Sequence, residues 1–194
     1  RTYPVVVGPG ALDELPALLR ETGVRGRLWL VADAAVERRY APRLIDALRE
    51  AGYLVELQTV PGGEESKSLA QAAALYDWLL AGRVERGDAL LALGGGVVGD
   101  LGGFVAATIL RGIAFVPLPT TLLAQVDASI GGKVAVNHPR GKNLIGAFHQ
   151  PRLVVADTAT LASLPPRERA AGWAEVIKAG MILDAELFAL LERE

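Results

Sequence analysis

Residues 89–100 read Ala-Leu-Leu-Ala-Leu-Gly-Gly-Gly-Val-Val-Gly-Asp, so an apolar run passes directly into a glycine-rich turn. Such a run is typical of a strand buried on both faces, and residues 94–99 satisfy the pattern G-x-G-x-x-G between a strand and a helix. Glycines let the backbone approach a pyrophosphate closely, and the N–H groups that begin the next helix can bind it. The alternative is that the glycines only allow tight packing in the turn, and the motif alone leaves both interpretations open.

Short apolar runs alternate with helical patterns on both sides of this turn. Leucines spaced three and four residues apart predict the helices, and Ser68 is placed to cap one of them. This alternation predicts an α/β fold over residues 1–163: a Rossmann-like domain with a mostly parallel sheet and helices on both faces. The predicted strands are Tyr3–Val7, Leu28–Ala32, Val55–Val60, Ala89–Leu93, Ala114–Pro117 and Leu153–Ala156.

The pattern changes in the second half of the chain. Residues 120–151 are rich in Gly, Lys and Asn and show little periodicity, which indicates either a long functional loop region or secondary structure that the pattern does not reveal. Residues 164–194 read as helix, with Asp184 as a cap, and are expected to be the first helices of an α-helical second domain. Since the last amphipathic pattern reaches Glu194 without a C-terminal capping signal, the chain is expected to be part of a longer one.

The composition excludes several classes of protein. The chain has 194 residues, 51% of them apolar, and a formal net charge of −2, which excludes intrinsic disorder. It lacks the basic clusters of nucleic-acid and membrane-surface binders, and it has no apolar run long enough for a membrane span or a signal peptide. The absence of cysteine excludes a disulfide scaffold, a zinc ribbon and a thiol nucleophile, and it predicts a cytoplasmic protein.

Four polar residues follow predicted strands and are candidates for ligand binding. Asp33 can accept a hydrogen bond from a ribose hydroxyl, or it can simply cap the next helix. Lys67 ends a second glycine loop, where it either binds a phosphate or a cofactor hydroxyl or lies in a solvated turn. Thr120 and Thr121 either offer hydroxyl groups to a ligand at the carboxyl end of a strand or only fill a loop.

The densest polar cluster combines cations, a carboxylate and carboxamides with glycines. This combination suits an anionic, hydroxyl-rich ligand, whereas the alternative is a basic surface loop. Apolar residues on both sides of the cluster favour the binding role. Its members are Asp127, Lys133, Asn137, His138, Arg140, Lys142 and Asn143.

Glu175 and Lys178 stand three residues apart in an otherwise apolar helical segment. They form either a surface ion pair, which contributes little, or a functional pair in which Glu175 binds a divalent metal and Lys178 contacts a substrate. His138 and His149 are the only histidines, so a histidine-rich zinc site within this chain is not expected.

Together these motifs resemble the 3-dehydroquinate synthase family, in order and over essentially the whole chain. The Asn-His-Pro and Gly-Lys-Asn motifs separate the chain from related sugar-phosphate cyclases and from iron-dependent alcohol dehydrogenases, which share the glycine-rich strand end. The segments that carry the resemblance are Pro61–Lys67, Gly94–Leu101, Arg111–Gly112, Pro119–Asp127, Gly131–Lys133, Asn137–Pro139, Gly141–Asn143, Gly146–Pro151, Leu164–Glu168 and Ala174–Lys178.

The resemblance implies a carbon–oxygen lyase of the shikimate pathway, which serves aromatic amino acid biosynthesis. Members convert 3-deoxy-D-arabino-heptulosonate 7-phosphate into 3-dehydroquinate and phosphate. The resemblance implies two cofactors, NAD and a divalent metal ion, Zn²⁺ or Co²⁺. In the family a hydroxyl is transiently oxidised by NAD, phosphate is eliminated, the carbonyl is reduced again, and ring opening with intramolecular aldol closure follows.

The resemblance also assigns roles to individual residues. The implied NAD-binding residues are Asp33, Gly62, Gly63, Glu64, Lys67, Gly95, Gly96, Val97, Val98, Gly99, Asp100, Thr120, Thr121, Lys142, Thr160, Leu161, Ala162 and Ser163. The implied substrate-binding residues are Arg111, Asp127, Lys133, Asn143 and Lys178. Of these, Asp127, Lys133 and Lys178 are the expected catalytic residues, and Glu175 is the one implied metal ligand.

The chain lacks two metal-binding histidines and one NAD-contacting asparagine that are found in the family. A catalytic zinc needs about three protein ligands, and family members supply two histidines from a helical C-terminal domain. Ala171 stands where some relatives have an NAD-contacting Asn. The chain is therefore expected to be the NAD-binding part of a synthase that is inactive alone. The full-length protein is expected to be a cytoplasmic homodimer that acts on a small sugar phosphate and binds neither nucleic acid nor membrane.

Two other functions remain open at this point. One is a sugar-phosphate cyclase of secondary metabolism, and the other is a nucleotide-binding module without catalysis.

Overall fold

Parallel strands joined by helices form the chain, as the alternating pattern predicts. The computed structural model describes residues 2–193. The strands are β1 (Val5–Gly8), β2 (Leu28–Asp33), β3 (Val55–Val60), β4 (Ala89–Gly94), β5 (Ala114–Pro119), β6 (Lys133–His138), β7 (Gly141–Phe148) and β8 (Val154–Asp157). The helices are α1 (Leu15–Glu21), α2 (Ala34–Glu50), α3 (Leu69–Ala81), α4 (Gly96–Thr108), α5 (Pro166–Leu183) and α6 (Ala185–Leu191).

The central sheet has four parallel strands in the order β3-β2-β4-β5. β8 and β1 form a second parallel pair beside it, where Arg152 N donates to Phe115 O at 2.8 Å. The chain leaves β2 for β3 on one side and returns to β4 on the other, so the strand order reverses between β2 and β4. In open α/β sheets, ligands bind at such a reversal, outside the carboxyl ends of the strands.

The central strands send alternate side chains into two apolar layers. Leu28 and Leu30 of β2 pack in the layer that contains α1 and α2, whereas Trp29 and Val31 pack in the layer of α3 and α4. All four side chains are at most 1% exposed. The sheet is therefore covered on both faces, as the unbroken apolar strands predict.

Three capping residues set the starts of helices. Ser68 Oγ accepts a hydrogen bond from Gln71 N at 3.2 Å at the start of α3, as predicted. Asp33 Oδ1 accepts from Ala35 N at 2.8 Å and caps α2. Asp184 caps α6 in the same way, as predicted. These side chains satisfy N–H groups that would otherwise lack a partner.

Of the two interpretations of residues 120–151, the long loop region is wrong, because the stretch contains regular secondary structure. A short π-helical turn covers Ala124–Ala128, and β6 and β7 form an antiparallel hairpin. Val134 and Val136 are buried, and a Cβ added to Gly103 of α4 would lie 2.3 Å from Val134 Cγ1. The hairpin therefore packs closely on α4. Gly, Lys and Asn residues interrupt the period of two along β7, which explains why the sequence does not reveal it.

Helices α5 and α6 cover the C-terminal segment, as predicted, and Glu194 lies outside the described residues. Met181, Ile182 and Leu183 at the end of α5 are 68%, 71% and 83% exposed. The division into domains at residues 163 and 164 stays a prediction. No helix within residues 2–193 combines the length and the hydropathy that a membrane crossing requires.

Candidate functional site

Asp33 and Gly94 end the two strands between which the strand order reverses. A Cβ added to Gly94 would lie 2.8 Å from Asp33 Cβ and 2.5 Å from Val98 Cγ1, and Gly94 has φ +150°. Because any side chain at this position would collide with the end of β2, only glycine fits here. This close approach places the ends of β2 and β4 side by side at the base of a cleft.

Helix α4 begins at the same edge of the sheet. Its N-cap is Gly95, which offers no side-chain acceptor to the first N–H groups of the helix. These groups lack partners within the helix and lie at the positive end of its dipole, so they can bind an anion. A Cβ on Gly95 would also meet Thr121 Cγ2 at 3.1 Å. The turn thus packs tightly and also leaves groups that can bind an anion.

A cleft of about 770 Å³ opens along these strand ends, and we name it the glycine cleft. Its volume is in the range of ordinary cofactor sites. Thr120 is 3% exposed, and its Oγ1 is one of two buried side-chain oxygens in residues 2–193 without a hydrogen-bond partner. Such an oxygen fits a ligand that supplies the partner. The predicted NAD-binding residues that line the cleft are Asp33, Gly62, Gly63, Glu64, Lys67, Gly95, Gly96, Val97, Asp100, Thr120, Thr121, Lys142 and Ser163.

Lys67 connects three parts of the glycine cleft. Its side chain is 5% exposed, and Nζ donates to Asp100 Oδ2 on α4 and to Asn143 Oδ1 on β7. The interpretation of Lys67 as part of a solvated turn is therefore wrong. A buried ammonium requires such partners, because an unpaired buried charge is strongly destabilising.

The pKa of the Asp100 carboxyl lies above its ordinary value. Burial is the main cause, and the hydrogen bond and the charge of Lys67 oppose it. The Glu64 carboxylate raises the pKa further, whereas Lys133 lowers it. Because desolvation outweighs the attraction of Lys67, the pair occupies a poorly solvated place where electrostatic interactions are strong.

Asn137 ties the loop of residues 62–67 to the hairpin. Asn137 Nδ2 donates to Glu64 Oε1 at 2.7 Å, and Asn137 Oδ1 accepts from Asn143 N at 2.9 Å. The backbone N–H of Asn137 donates to Lys67 O at 2.8 Å. Lys142 Nζ lies 3.7 Å from Glu64 Oε1. The loop and the hairpin therefore share one connected polar network.

A second cleft of about 560 Å³ lies on the hairpin side, and we name it the hairpin cleft. Asp127 and Lys133 line it, and both residues are exposed, so their charged groups are accessible to a ligand. Asp100 and Asn143 line both clefts. Ligands bound in the two clefts would therefore lie next to each other.

Glu175 and Lys178 form an ion pair on α5, with side chains 27% and 56% exposed. The hydrogen bond from Lys178 to Glu175 raises the pKa of the lysine above its ordinary value, and the Asp127 carboxylate adds to this effect. Lys178 therefore lies within electrostatic reach of the hairpin cleft. The geometry agrees with a surface ion pair and with a functional pair, so both interpretations stay open.

A complete metal site does not fit this part of the chain. Within residues 2–193, no three His, Cys, Asp or Glu side chains are grouped so that they could hold a metal ion. Glu175 alone supplies one carboxylate, whereas zinc takes about three or four ligands. The residues of this part of the chain therefore cannot by themselves hold a catalytic metal ion.

Several predicted residues lie away from both clefts. Arg111 is exposed beyond the C-terminal end of α4, whose 13 residues place it about 20 Å from the helix start. Val98 is buried in the core, and Gly99 lines a smaller cavity behind the turn. These three residues line neither the glycine cleft nor the hairpin cleft, and their roles stay predictions.

The predicted segment Thr160–Ser163 lies in a 3₁₀ turn after β8, and only one of its four residues lines the glycine cleft. Ser163 lines the glycine cleft, and its Oγ lies 2.7 Å from the hydroxyl oxygen of Tyr40. Thr160 Oγ1 donates to Asp157 O at 2.7 Å, so this hydroxyl serves the turn itself. Leu161 and Ala162 do not line the cleft.

The structure also adds residues that the sequence interpretation did not include. Gly94 was part of the motif but received no role, although a glycine at the end of a strand can signal a close backbone approach. Val36 and Arg39 lie three and six residues after Asp33, so helical spacing could have placed them on the same side of α2. The added residues that line the glycine cleft include Val36, Arg39, Leu164, Pro165 and Glu168.

A family model and curated proteins match this chain in sequence. The family model described as 3-dehydroquinate synthase N-terminal matches residues 57–171. A 3-dehydroquinate synthase from Caulobacter vibrioides is 56% identical over 99% of this chain and 52% of its own length. One from Desulforamulus reducens is 52% identical over 100% of this chain and 54% of its own length. The chain thus spans about half the length of the curated relatives it matches.

A solved structure agrees with these sequence matches. It is a 2-epi-5-epi-valiolone synthase from Streptomyces hygroscopicus subsp. jinggangensis with NAD⁺ and Zn²⁺ bound, and it is 35% identical to this chain with a TM-score of 0.90. The likeness covers 99% of this chain and 53% of that one. The α/β fold predicted from the sequence is confirmed, and the chain belongs to the 3-dehydroquinate synthase family.

Proposed function

We propose that the chain supplies the nucleotide-binding half of a 3-dehydroquinate synthase. The full-length enzyme would convert 3-deoxy-D-arabino-heptulosonate 7-phosphate into 3-dehydroquinate and phosphate. One observation carries the proposal: the glycine cleft and the hairpin cleft share Asp100 and Asn143. A dinucleotide in the first cleft would therefore lie against an anionic substrate in the second. The identity of 52–56% to curated synthases supports this choice of reaction.

The residues of the glycine cleft fit NAD. The N–H groups at the start of α4 can bind the pyrophosphate, and the Asp33 carboxylate can accept a hydrogen bond from a ribose hydroxyl. The buried Thr120 Oγ1 has no hydrogen-bond partner in the protein, so NAD can supply one. NAD⁺ bound here would accept a hydride from the substrate carbon that carries the hydroxyl and would later return it. The valiolone synthase that binds NAD⁺ has a closely similar fold, which supports this assignment.

The hairpin cleft supplies the groups for the substrate. The Lys133 ammonium would pair with the substrate phosphate and stabilise its charge as it leaves, and Asn143 would donate to the same group. The Asp127 carboxylate would accept hydrogen bonds from substrate hydroxyls and hold their protons. Lys178 would face the anionic edge of the substrate from α5. Arg111 is expected to bind substrate as well, although it lies away from both clefts.

Other parts of the proposal concern the full-length protein. Glu175 would contribute one ligand to a zinc or cobalt ion, and the remaining ligands are not grouped with it in residues 2–193. Residues 1–163 would form the NAD-binding domain, and residues 164–194 would begin a helical domain. We further propose a cytoplasmic homodimer that binds neither nucleic acid nor membrane.

The experiment that tests this function is an assay of the full-length protein with NAD⁺, Zn²⁺ and heptulosonate phosphate. We expect phosphate and 3-dehydroquinate in equal amounts. The comparison substrate is a seven-carbon sugar phosphate without the carboxylate, which distinguishes a cyclase of secondary metabolism. Turnover of the comparison substrate alone would contradict the proposal in favour of that cyclase. NAD⁺ binding without turnover of either substrate would indicate a nucleotide-binding module.

A further inference from the structure

The two ends of the Asn137 carboxamide hold two different segments. Nδ2 donates to Glu64 Oε1 in the loop after β3, and Oδ1 accepts from Asn143 N on β7. The contacts join residues that are 73 and 6 positions apart in the sequence. Asn137 does not itself line the glycine cleft or the hairpin cleft.

The contact to Asn143 fixes the orientation of a residue that lines both clefts. Asn143 has φ +57°, in the left-handed region that asparagine tolerates better than most residues. In this conformation its backbone N–H meets Asn137 Oδ1, and its side-chain Oδ1 accepts from Lys67 Nζ. Asn143 is exposed, so loss of the Asn137 acceptor would leave this N–H to solvent and remove the bond that holds Asn143 in this conformation.

The contact to Glu64 fixes the orientation of a residue in the glycine cleft. Glu64 lines the glycine cleft, and its carboxylate also lies 3.7 Å from Lys142 Nζ. The backbone N–H of Asn137 donates to Lys67 O at 2.8 Å, so a backbone hydrogen bond also holds the loop of residues 62–67 against β6. A carboxamide suits this place because it offers a donor on one side and an acceptor on the other, which a carboxylate does not.

We propose that Asn137 is a positioning residue that couples the two clefts: it holds Glu64 for the cofactor and Asn143 for the substrate at one fixed separation. The inference rests on the proposed function, since it takes NAD and a phosphorylated substrate as the two ligands. Asn137 touches neither ligand and acts through its two neighbours.

The test exchanges the groups of the Asn137–Glu64 hydrogen bond in the full-length protein. Asn137→Asp replaces the donor by an acceptor and places two carboxylates together. When Glu64→Gln is added to Asn137→Asp, the new glutamine amide at position 64 can donate to the new carboxylate at position 137. The hydrogen bond is then restored with its direction reversed. A double-mutant cycle compares the two single variants, the double variant and the unaltered protein. Gln58→Glu on β3 is the control for an amide-to-carboxylate change away from both clefts.

Two measurements report the result: the Kd of NAD⁺ by calorimetry and the steady-state constants. We expect Asn137→Asp to raise the Kd of NAD⁺ about tenfold, a change of about 1.4 kcal/mol, and to raise KM more than it lowers kcat. The double variant should bind NAD⁺ at least about threefold more tightly than the sum of the two single changes in binding free energy predicts, since contacting pairs couple by amounts of this size. Gln58→Glu should bind NAD⁺ like the unaltered protein.

Other outcomes overturn the inference. A Kd within about twofold of the unaltered value in folded Asn137→Asp, or a double variant whose loss of NAD⁺ affinity equals the sum of the losses in the two single variants, would show that Asn137 does not position the site. If Asn137→Asp does not fold, Asn137→Ser removes the carboxamide without adding charge, and unchanged NAD⁺ affinity in that variant overturns the inference equally. NAD⁺ binding without synthase turnover in the unaltered protein contradicts the proposed function, while the binding series still decides the role of Asn137.

Discussion

Lys67 and Asp100 form an ion pair whose side chains are 5% and 19% exposed, and this pair joins the loop after β3 to the first turns of helix α4. The two residues come from different sides of the strand-order reversal. Asn143 on the hairpin is the second acceptor of the Lys67 ammonium, so one buried cation connects three segments. The pair therefore holds together three segments that line the glycine cleft.

Lys67→Met removes the cation and leaves the Asp100 carboxylate without its partner. We expect the free energy of unfolding to fall by about 3 kcal/mol at neutral pH, since breaking a buried pair leaves an uncompensated charge. The pKa of Asp100 is already raised by burial, and it should rise further because Lys67 is the main group that opposes the rise. Urea unfolding and a carboxyl NMR titration of Asp100 measure these two effects.

The pH dependence of this loss has a definite sign. A carboxyl whose folded pKa lies above its ordinary value contributes stability that is fully present below the ordinary pKa and is lost as the pH rises through the raised value. The stability deficit of Lys67→Met relative to the unaltered chain should therefore be smallest in acid and grow as the pH rises above the ordinary aspartate range. A deficit that does not change with pH would contradict the assignment of the pair.

Gly96→Val tests the anion site at the start of α4. A Cβ at Gly96 meets only Ala128 Cβ, at 3.4 Å, so the variant should fold. Its side chain should nevertheless block close approach of a pyrophosphate and raise the Kd of NAD⁺ at least tenfold, or about 1.4 kcal/mol. Gly87→Ala is the control, since its Cβ would have no neighbour within 4 Å. Unchanged NAD⁺ affinity in folded Gly96→Val would refute the anion site.

Local signals in the sequence were sufficient for much of the fold. The apolar strands, the cap residues Ser68 and Asp184, and the glycine turn each depend on residues that are near in sequence, so their patterns could be interpreted directly. The hairpin was missed because polar and glycine residues along β7 hide its alternation. Its packing on α4 comes from Val134 meeting Gly103, a contact between distant segments.

The sequence predicts which residues belong to the candidate site better than it predicts how they contact one another. The sequence identified Lys67, Asp100 and Asn143 as candidates, but the burial of Lys67 depends on acceptors from two other elements. Likewise, the bond between Asn137 and Glu64 joins residues 73 positions apart, and no local pattern indicates it. Such long-range pairs arise from tertiary packing, which is why spacing along the chain did not reveal them.

The 194-residue chain alone should show no synthase turnover, even with NAD⁺ and Zn²⁺ present. The reason is that residues 2–193 do not group three metal-ligating side chains. For the same reason, a chelator should leave its thermal unfolding temperature unchanged, and metal analysis should find less than one zinc per chain after dialysis. Phosphate release from heptulosonate phosphate by the purified chain would contradict this prediction.

Glu175→Gln and Lys178→Met in the full-length protein distinguish the two interpretations of the α5 pair. If Glu175 is a metal ligand, Glu175→Gln removes a negatively charged donor while keeping its volume, so zinc content and turnover should fall together. Lys178→Met should leave zinc bound but weaken substrate binding and turnover, because an ammonium cannot ligate a metal but can pair with a carboxylate or phosphate. Metal analysis and steady-state kinetics measure both effects.

A surface ion pair gives the opposite expectation for these two variants. The Glu175 and Lys178 side chains are 27% and 56% exposed, and pairs of this kind contribute at most about 1 kcal/mol to stability. Both variants would then keep their zinc and their turnover and differ only slightly in thermal unfolding. Because Asp127 also acts on Lys178, a changed KM in Lys178→Met with normal zinc content would place this lysine at the hairpin cleft. Normal zinc content and a normal turnover rate in Glu175→Gln would show that Glu175 is not a metal ligand.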